Sequence, residues 1–451
     1  MRITRRTLLV GAGSGAAAVL LAACAPEPPR PTPSVPTVSP TPTGAVPAPS
    51  AFLRSAWTTD PLARGAKTFV PAGVGLAARE QLAEPLDDRV FFAGEALGDP
   101  IGTIQGASRD GVRAATALAD VAAEGERVFV IGAGIAGARA ARFLADAGFS
   151  VTVIEGRDRI GGRIHQVESD DWPVTPQLGA WLVPSDADEV HARLEELGIA
   201  LHALAGQDAR SGDGQLEPPS PEAVERAISW AAEAPADLSI LEALEASGAD
   251  PEQDAIAAYL DFLAAHTGAG ADRLSSWYPP SLPYPAASAV DGYLQRLVAD
   301  PLEGIDVSMS TTVLGISYGR DGVSLRLATG EALSADRVIL TAPLGVLQRG
   351  SIEFEPALPF PYRGAIAALG AGTVEVAWLR FDEPFWQTEA AVWHLVGGDA
   401  LVRTWINLAP STGEPILVGI VGGEAAAEFA ELDDGDAAQA AIDALGVFSG
   451  A

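Results

Sequence analysis

The chain has 451 residues and a net charge of −30, from 59 acidic against 29 basic side chains. That balance excludes nucleic acid as an expected partner, because a polyanion needs a basic footprint, and it suits either steering of cationic small molecules or plain solubility. A single cysteine, Cys24, excludes an internal disulfide and a cysteine-built metal site.

Residues 1–24 read as a signal peptide with a lipobox. Arg5-Arg6 precede an apolar run from Leu8 to Ala23 that is too short to span a bilayer comfortably. The run closes on Leu21-Ala22-Ala23-Cys24, small residues before a cysteine, which resembles a bacterial lipobox, and the paired arginines resemble a twin-arginine export signal. A general secretory signal with incidental arginines is the alternative. Cys24 would then carry lipid rather than act as a thiol. The expected location is beyond the cytoplasmic membrane, anchored to its outer face, with no other membrane contact. Residues 25–50 are rich in Pro, Thr, Ser, Val and Ala and are predicted to form a stiff linker.

Residues 51–451 are more than one simple domain needs, so two domains are expected. Val90–Ala107, VFFAGEALGDPIGTIQGA, predicts a strand, a Gly-Glu step and a glycine loop that opens a helix. Arg127–Ile131 predicts the next strand, and Gly132-Ala133-Gly134-Ile135-Ala136-Gly137 the tight turn after it. A helix over Ile135–Ala147 ends at Gly148, and Val151–Ile154 forms a second strand that delivers Glu155. This strand–turn–helix–strand unit, with an acid 18 residues past Gly137, is a dinucleotide fingerprint. Gly132, Gly134 and Gly137 let backbone approach a diphosphate, and Glu155 accepts from a ribose hydroxyl.

A second element follows. Arg157 and Arg163 can offset diphosphate charge, and Gly161-Gly162 admits close backbone. A nicotinamide cofactor does not need this addition, whereas a flavin dinucleotide, gripped along its length, gains from it. Residues 187–300 are predicted to be helix-rich, with polar breaks such as Ser211–Gly214 and a Pro-rich loop at Tyr278–Pro285. Val323–Leu327 and Arg337–Leu340 predict a hairpin around Thr329-Gly330 and then a buried strand. Thr373–Phe381, Ala391–Val396, Val402–Leu408 and Ile416–Val421 predict a separate sheet.

Glu155–Arg163, EGRDRIGGR, followed by Leu178-Gly179-Ala180-Trp181, resembles the start of the flavin-containing amine oxidases, a family that includes monoamine and polyamine oxidases and flavin histone demethylases. Arg337–Leu347 is similar to the family's mid-chain strand and turn, and Leu369–Trp386 to its substrate-domain strand. Trp57–Gly73 and Phe91–Ala107 resemble the family's final segment, yet here they come first. The order reads as a circular permutation, in which residues 46–120 are joined to the family's start through Val121–Glu126 and the chain stops at Gly446–Ala451. A fragment fused to a truncated copy is the alternative.

The resemblance implies an α/β fold: an FAD-binding Rossmann-like, glutathione-reductase-type domain and a second, α+β substrate domain on a mixed sheet. Residues 51–120, 121–190 and 291–350 would build the first, and 191–290 (helical) and 351–451 the second. It implies non-covalent FAD held by Glu95, Thr103, Ile104, Glu155, Arg157, Arg163, Trp181, Leu182 and Val313, beside Gly132, Gly134, Gly137 and Gly162. The implied reaction is hydride transfer from a small primary or secondary amine to flavin N5, followed by imine hydrolysis. Phe69 and Thr103 fall at positions flanking the amine. Phe69 is then a cage wall or a plain core aromatic.

The departure is Val376, which stands where the family has a lysine that assists reoxidation. The only lysine is Lys67, two residues from Phe69 on a predicted strand and so on the same face; it is read as a solvated edge lysine, with delivery to the site as the other option. His165, His191, His202, His266 and His394 show no metal spacing and are read as structural, and no metal is expected. Besides an amine oxidase, an impaired flavin-binding lipoprotein and a dehydrogenase or desaturase with another acceptor remain open. The oligomeric state is unassigned.

Overall fold

The computed structural model describes residues 46–283 and 287–449. The signal features and Cys24 lie outside the described residues, as does most of the Pro-rich stretch. Val46, at the end of that stretch, is buried against Phe52 and Trp386, so the folded body begins before residue 51.

A five-stranded parallel sheet carries one half of the molecule. Its order is Asp306–Ser308, Ser150–Ile154, Arg127–Ile131, Arg337–Leu340 and Val90–Phe92. Successive side chains of a strand point to opposite faces, and here both faces are covered. Phe91, Val128, Val130, Val153 and Ile339 pack under the helices Ile104–Val121 and Ile135–Asp146. Their neighbours Val90, Phe92, Ile131, Ile154 and Val338 face a four-stranded sheet built on Val313–Gly319 and Gly322–Leu327. The apolar runs in the sequence are therefore buried on both sides.

The two helices cross at close range because small residues meet. A Cβ on Gly111 would fall 2.2 Å from the Ala136 carbonyl oxygen.

The other half centres on a seven-stranded mixed sheet. Its order is Ala51–Arg54, Val374–Arg380, Ile416–Gly422, Thr404–Asn407, Val392–Leu395, Gln207–Ser211 and Gly214–Leu216. Only the Val392–Leu395/Gln207–Ser211 pair runs parallel. Two of these strands come from the region expected to be helix-rich. Gln207–Ser211 and Gly214–Leu216 form a hairpin whose turn is Gly212-Asp213, one of the polar breaks. Val313–Gly319 was also not expected as a strand. That region also holds the strands Ala200–Ala203 and Ala287–Asp291 beside helices such as Glu222–Ala231 and Asp254–Thr267.

The segment before residue 120 belongs to both halves. Ala51–Arg54 pairs antiparallel with Val374–Arg380, and Glu375 beneath this pair is fully buried. Its carboxylate accepts from Ser55 Oγ, Trp57 N, Thr58 N and Thr58 Oγ1, which fixes the turn that follows.

Candidate active site

A cleft of about 330 Å³ opens at the carboxyl ends of the parallel strands, where ligands of open α/β sheets bind. Its lining includes Gly132, Gly134, Glu155, Arg157, Gly162 and Arg163 together with Glu95, Gly102, Thr103, Ile104 and Val313. Residues far apart in sequence thus line one space.

The glycines do different things. Gly132 has φ +106°, and a Cβ there would meet Thr341 Oγ1 at 2.3 Å. A Cβ on Gly137 would fall 1.9 Å from the Gly132 carbonyl oxygen, so this glycine seats the helix on the turn and does not line the cleft. Gly134 is open: the nearest protein atom to its missing Cβ is Gly161 O at 3.9 Å. The helix Ile135–Asp146 starts there without a side-chain cap, so its first N–H groups and dipole are left for an anion.

The charged residues hold the walls in place. Glu155 is buried; one carboxylate oxygen accepts from Ala133 N and the other from Arg157 N, both at 2.8 Å. Arg157 pairs with Asp60 at 2.6 Å. Arg163 pairs with Glu95 at 2.9 Å and also donates to Ala66 O. Glu95 accepts in addition from Thr68 N and Thr68 Oγ1. Among the described residues Arg159 donates only to the carbonyls of Ile160 and Gly162, and burial together with Arg157 pushes it down to about 10. Burial, Arg159 and Arg157 likewise push His165 down to about 4. Arg157 and Arg163 are thus paired with carboxylates, whereas Arg159 makes no ion pair among the described residues.

The remaining expected residues lie elsewhere or act differently. Thr103 lines the cleft, but its hydroxyl caps the helix Ile104–Val121, accepting from Gly106 N and donating to Pro100 O. Trp181 and Leu182 pack on the far side with Trp378; it is Ala180, just before them, that touches the cleft. Phe69 does not line the cleft. Its ring is buried among Tyr259, Leu263 and Leu274, lies over Gly370, and has the Arg273 guanidinium 4.9 Å from its centroid. Val376 is buried in the same apolar cluster as Trp181 and Trp378 and does not line the cleft.

Lys67 is not a solvated edge residue. Its Nζ donates inward to His266 O at 2.9 Å, and burial pushes its pKa down to about 8 against a weaker opposing pull from Glu95. Burial, and then Lys67, push the His266 imidazole down to about 3.

Unforeseen wall residues include Thr341, Ala342 and Pro343. They follow the buried strand Arg337–Leu340, so the strand-end rule that picks out Glu155 and Glu95 would also have found them.

With this geometry in hand, comparison with known proteins decides the family. A family model described as flavin containing amine oxidoreductase matches residues 38–119, 135–249 and 287–449. The chain belongs to the flavin-containing amine oxidoreductase family. Among its relatives in that family, polyamine oxidase 4 of Oryza sativa subsp. japonica is 30% identical over 346 residues, covering 69% of this chain and 70% of the relative. Lysine-specific histone demethylase 2 of Homo sapiens is 28% identical over 343 residues, 68% of this chain and 42% of the relative. A putrescine oxidase solved with putrescine bound has a TM-score of 0.58 at 22% identity, covering 72% of this chain and 82% of that one. The fold is thus that of the amine oxidases, with mixed sheets, and the chain is an amine-oxidase-type flavin oxidoreductase.

Proposed function

We propose that the chain binds FAD non-covalently along the whole cleft and oxidises a small primary or secondary aliphatic amine to an imine, which water hydrolyses. The observation that carries this reading is that the glycine turn with Glu155 and the Glu95–Ile104 loop line one cleft. Relatives named polyamine oxidase and a fold neighbour named putrescine oxidase support an aliphatic amine as the substrate class. A glutathione-reductase-type FAD domain is supported by the parallel strand order and the uncapped helix at Gly134.

Gly134, Gly162 and the first amides of the helix Ile135–Asp146 would receive the diphosphate, with Arg157, Arg159 and Arg163 supplying positive charge. Glu155 would accept from the ribose. Backbone amides at Thr103 and Ile104 would face the flavin ring, while Thr103 keeps its hydroxyl in the helix cap. A bound flavin would supply the redox step, accepting a hydride from the carbon beside the amine nitrogen. The buried aliphatic walls, Ile131, Ile154 and Val313 among them, would keep water from the reacting atoms.

The test is purification with bound yellow flavin, followed by anaerobic mixing with mono-, di- and polyamines. Bleaching by an amine supports the reading; a flavin-loaded protein that no amine bleaches defeats it. A second reading, electron delivery to an acceptor other than oxygen, is favoured by Val376, which offers no amine near the site. Rapid return of colour in air after bleaching would rule it out.

Two further proposals concern the chain as a whole. We read the segment order as a circular permutation. In support, Val90–Phe92 sits in register beside Arg337–Leu340, and Arg337 clamps the Val121–Glu126 connection through Glu126 and Val121 O while bonding Asp88 O. Moving residues 46–120 behind residue 449 should preserve flavin binding, and a rearranged chain that cannot load flavin would count against it. Export and lipid anchoring rest on Arg5-Arg6 and Leu21–Cys24. Cys24→Ala should move the protein from the membrane to the soluble fraction.

A further inference from the structure

Lys67 is the one lysine in the chain, and nothing so far gives it a task. It follows Ala66, which lines the cleft, and its stem lies against Gly102, which also lines it: a Cβ on Gly102 would fall 2.9 Å from Lys67 Cε. Gly102 immediately precedes Thr103 and Ile104, the end of the cleft at which the flavin ring is proposed to sit. The ammonium therefore stands beside that end, whereas no residue of the strand Val374–Arg380 lines the cleft.

Its surroundings leave the charge uncompensated. Among the described residues Lys67 makes no ion pair, and its one hydrogen bond goes to the neutral carbonyl of His266. Two titratable groups act on it: the Glu95 carboxylate, already engaged by Arg163 and Thr68, and the His266 imidazole, which burial keeps neutral. A largely shielded cation whose one hydrogen bond goes to a neutral carbonyl is costly unless something negative comes to it.

We propose that Lys67 is an electrostatic residue of the site, whose ammonium favours the reduced, more negative state of the bound flavin. The inference rests on the flavin reading above. It separates the task of charge stabilisation from the strand on which Val376 sits and moves it to the strand Lys67–Phe69.

The experiment is a spectroelectrochemical titration of the flavin-loaded full chain, comparing wild type, Lys67→Met and Lys67→Arg between pH 6 and 10. Lys67→Met should lower the two-electron midpoint potential at pH 7 by about 30 mV, a tenfold shift for such a couple. The sign with pH follows from the charged form: the difference is full below about pH 8 and fades above it, as wild-type Lys67 loses its proton. Lys67→Arg should match the wild-type potential at pH 7 and keep its difference from Lys67→Met at pH 10. In wild type alone, the potential should show an added break near pH 8. A purely structural lysine would change the melting temperature and leave these potentials alone. Equal potentials in wild type and Lys67→Met, or a wild-type profile without the break, would overturn the proposal with flavin binding intact. A wild-type chain that takes up no flavin would overturn the flavin reading itself.

Discussion

The guanidinium of Arg163 lies 2.9 Å from the carboxylate of Glu95, and both side chains are largely shielded from water. The pair ties the segment that follows the strand–turn–helix–strand unit to the loop after Val90–Phe92, two parts of the cleft wall 68 residues apart in sequence. Glu95 is also the anchor for Thr68, so one carboxylate aligns three segments.

Removing Arg163 should therefore cost more than a surface pair would. Arg163→Met is expected to destabilise the chain by about 2–3 kcal/mol, toward the lower end for a broken buried pair because some solvent reaches it. The double variant Arg163→Met/Glu95→Gln should recover part of the loss. Urea unfolding measures both, and strict additivity would mean that the two side chains do not interact.

Gly134 and Gly137 should separate binding from folding. Gly134→Ala has room in the protein and should leave flavin-free stability unchanged, while its methyl group intrudes where a diphosphate would lie and weakens flavin binding about tenfold or more. Gly137→Ala collides with backbone at 1.9 Å and should lower the melting temperature itself. Thermal melts with and without flavin distinguish the two.

Acid should weaken the fold earlier than its carboxylates alone would cause. His266 and His394 are held neutral by burial, down to about 3 and about 4, against an ordinary value near 6.5. The unfolded chain takes up protons below pH 6.5 while the folded one does not. Stability is thus full above that point and declines toward pH 4, by about 1.4 kcal/mol per pH unit for each histidine. Urea midpoints between pH 7 and 5 provide the check. A flat profile, or one unchanged in His394→Gln, would contradict it.

Lys67 should be a burden on the empty fold. Its pKa falls to about 8, so the unfolded chain binds the proton more tightly throughout the range below that pH. Lys67→Met is expected to stabilise the flavin-free chain by about 2 kcal/mol at pH 7, less than the full shift implies because the bond to His266 O is also lost. The gain should shrink as pH rises past 8 toward 10.5. A variant less stable than wild type at pH 7 would show that the carbonyl bond outweighs burial.

The parts of the site that could be read from sequence were those where backbone geometry dictates residue type. The Gly132–Gly137 turn needs a positive φ, a close helix seat and bare backbone, and few other residues satisfy all three. Glu155 and Glu95 were legible because acids at strand ends face the cleft. The alternation on the strand Lys67–Phe69 was also sound, since both side chains do point to one side. What the pattern did not disclose was which side: Thr68 faces Glu95, and Lys67 and Phe69 face the helix Asp254–Thr267. Gln207–Ser211 was hidden for another reason. Its polar residues are buried as a pair, Asp208 with Arg210, and Gln207 meets His394, so the strand carries no apolar signature.

The strand Ala51–Arg54 has a role that goes beyond positioning Ser55 and Thr58. It forms the outer border of the seven-stranded sheet, and without it Val374–Arg380, VEVAWLR, would present a bare row of N–H and C=O groups between apolar side chains. Exposed borders of that kind recruit strands from other chains. Shortening the protein past residue 55 would thus do more than loosen a loop: it would create an adhesive edge, and the cut protein should self-associate while its parallel sheet is still folded.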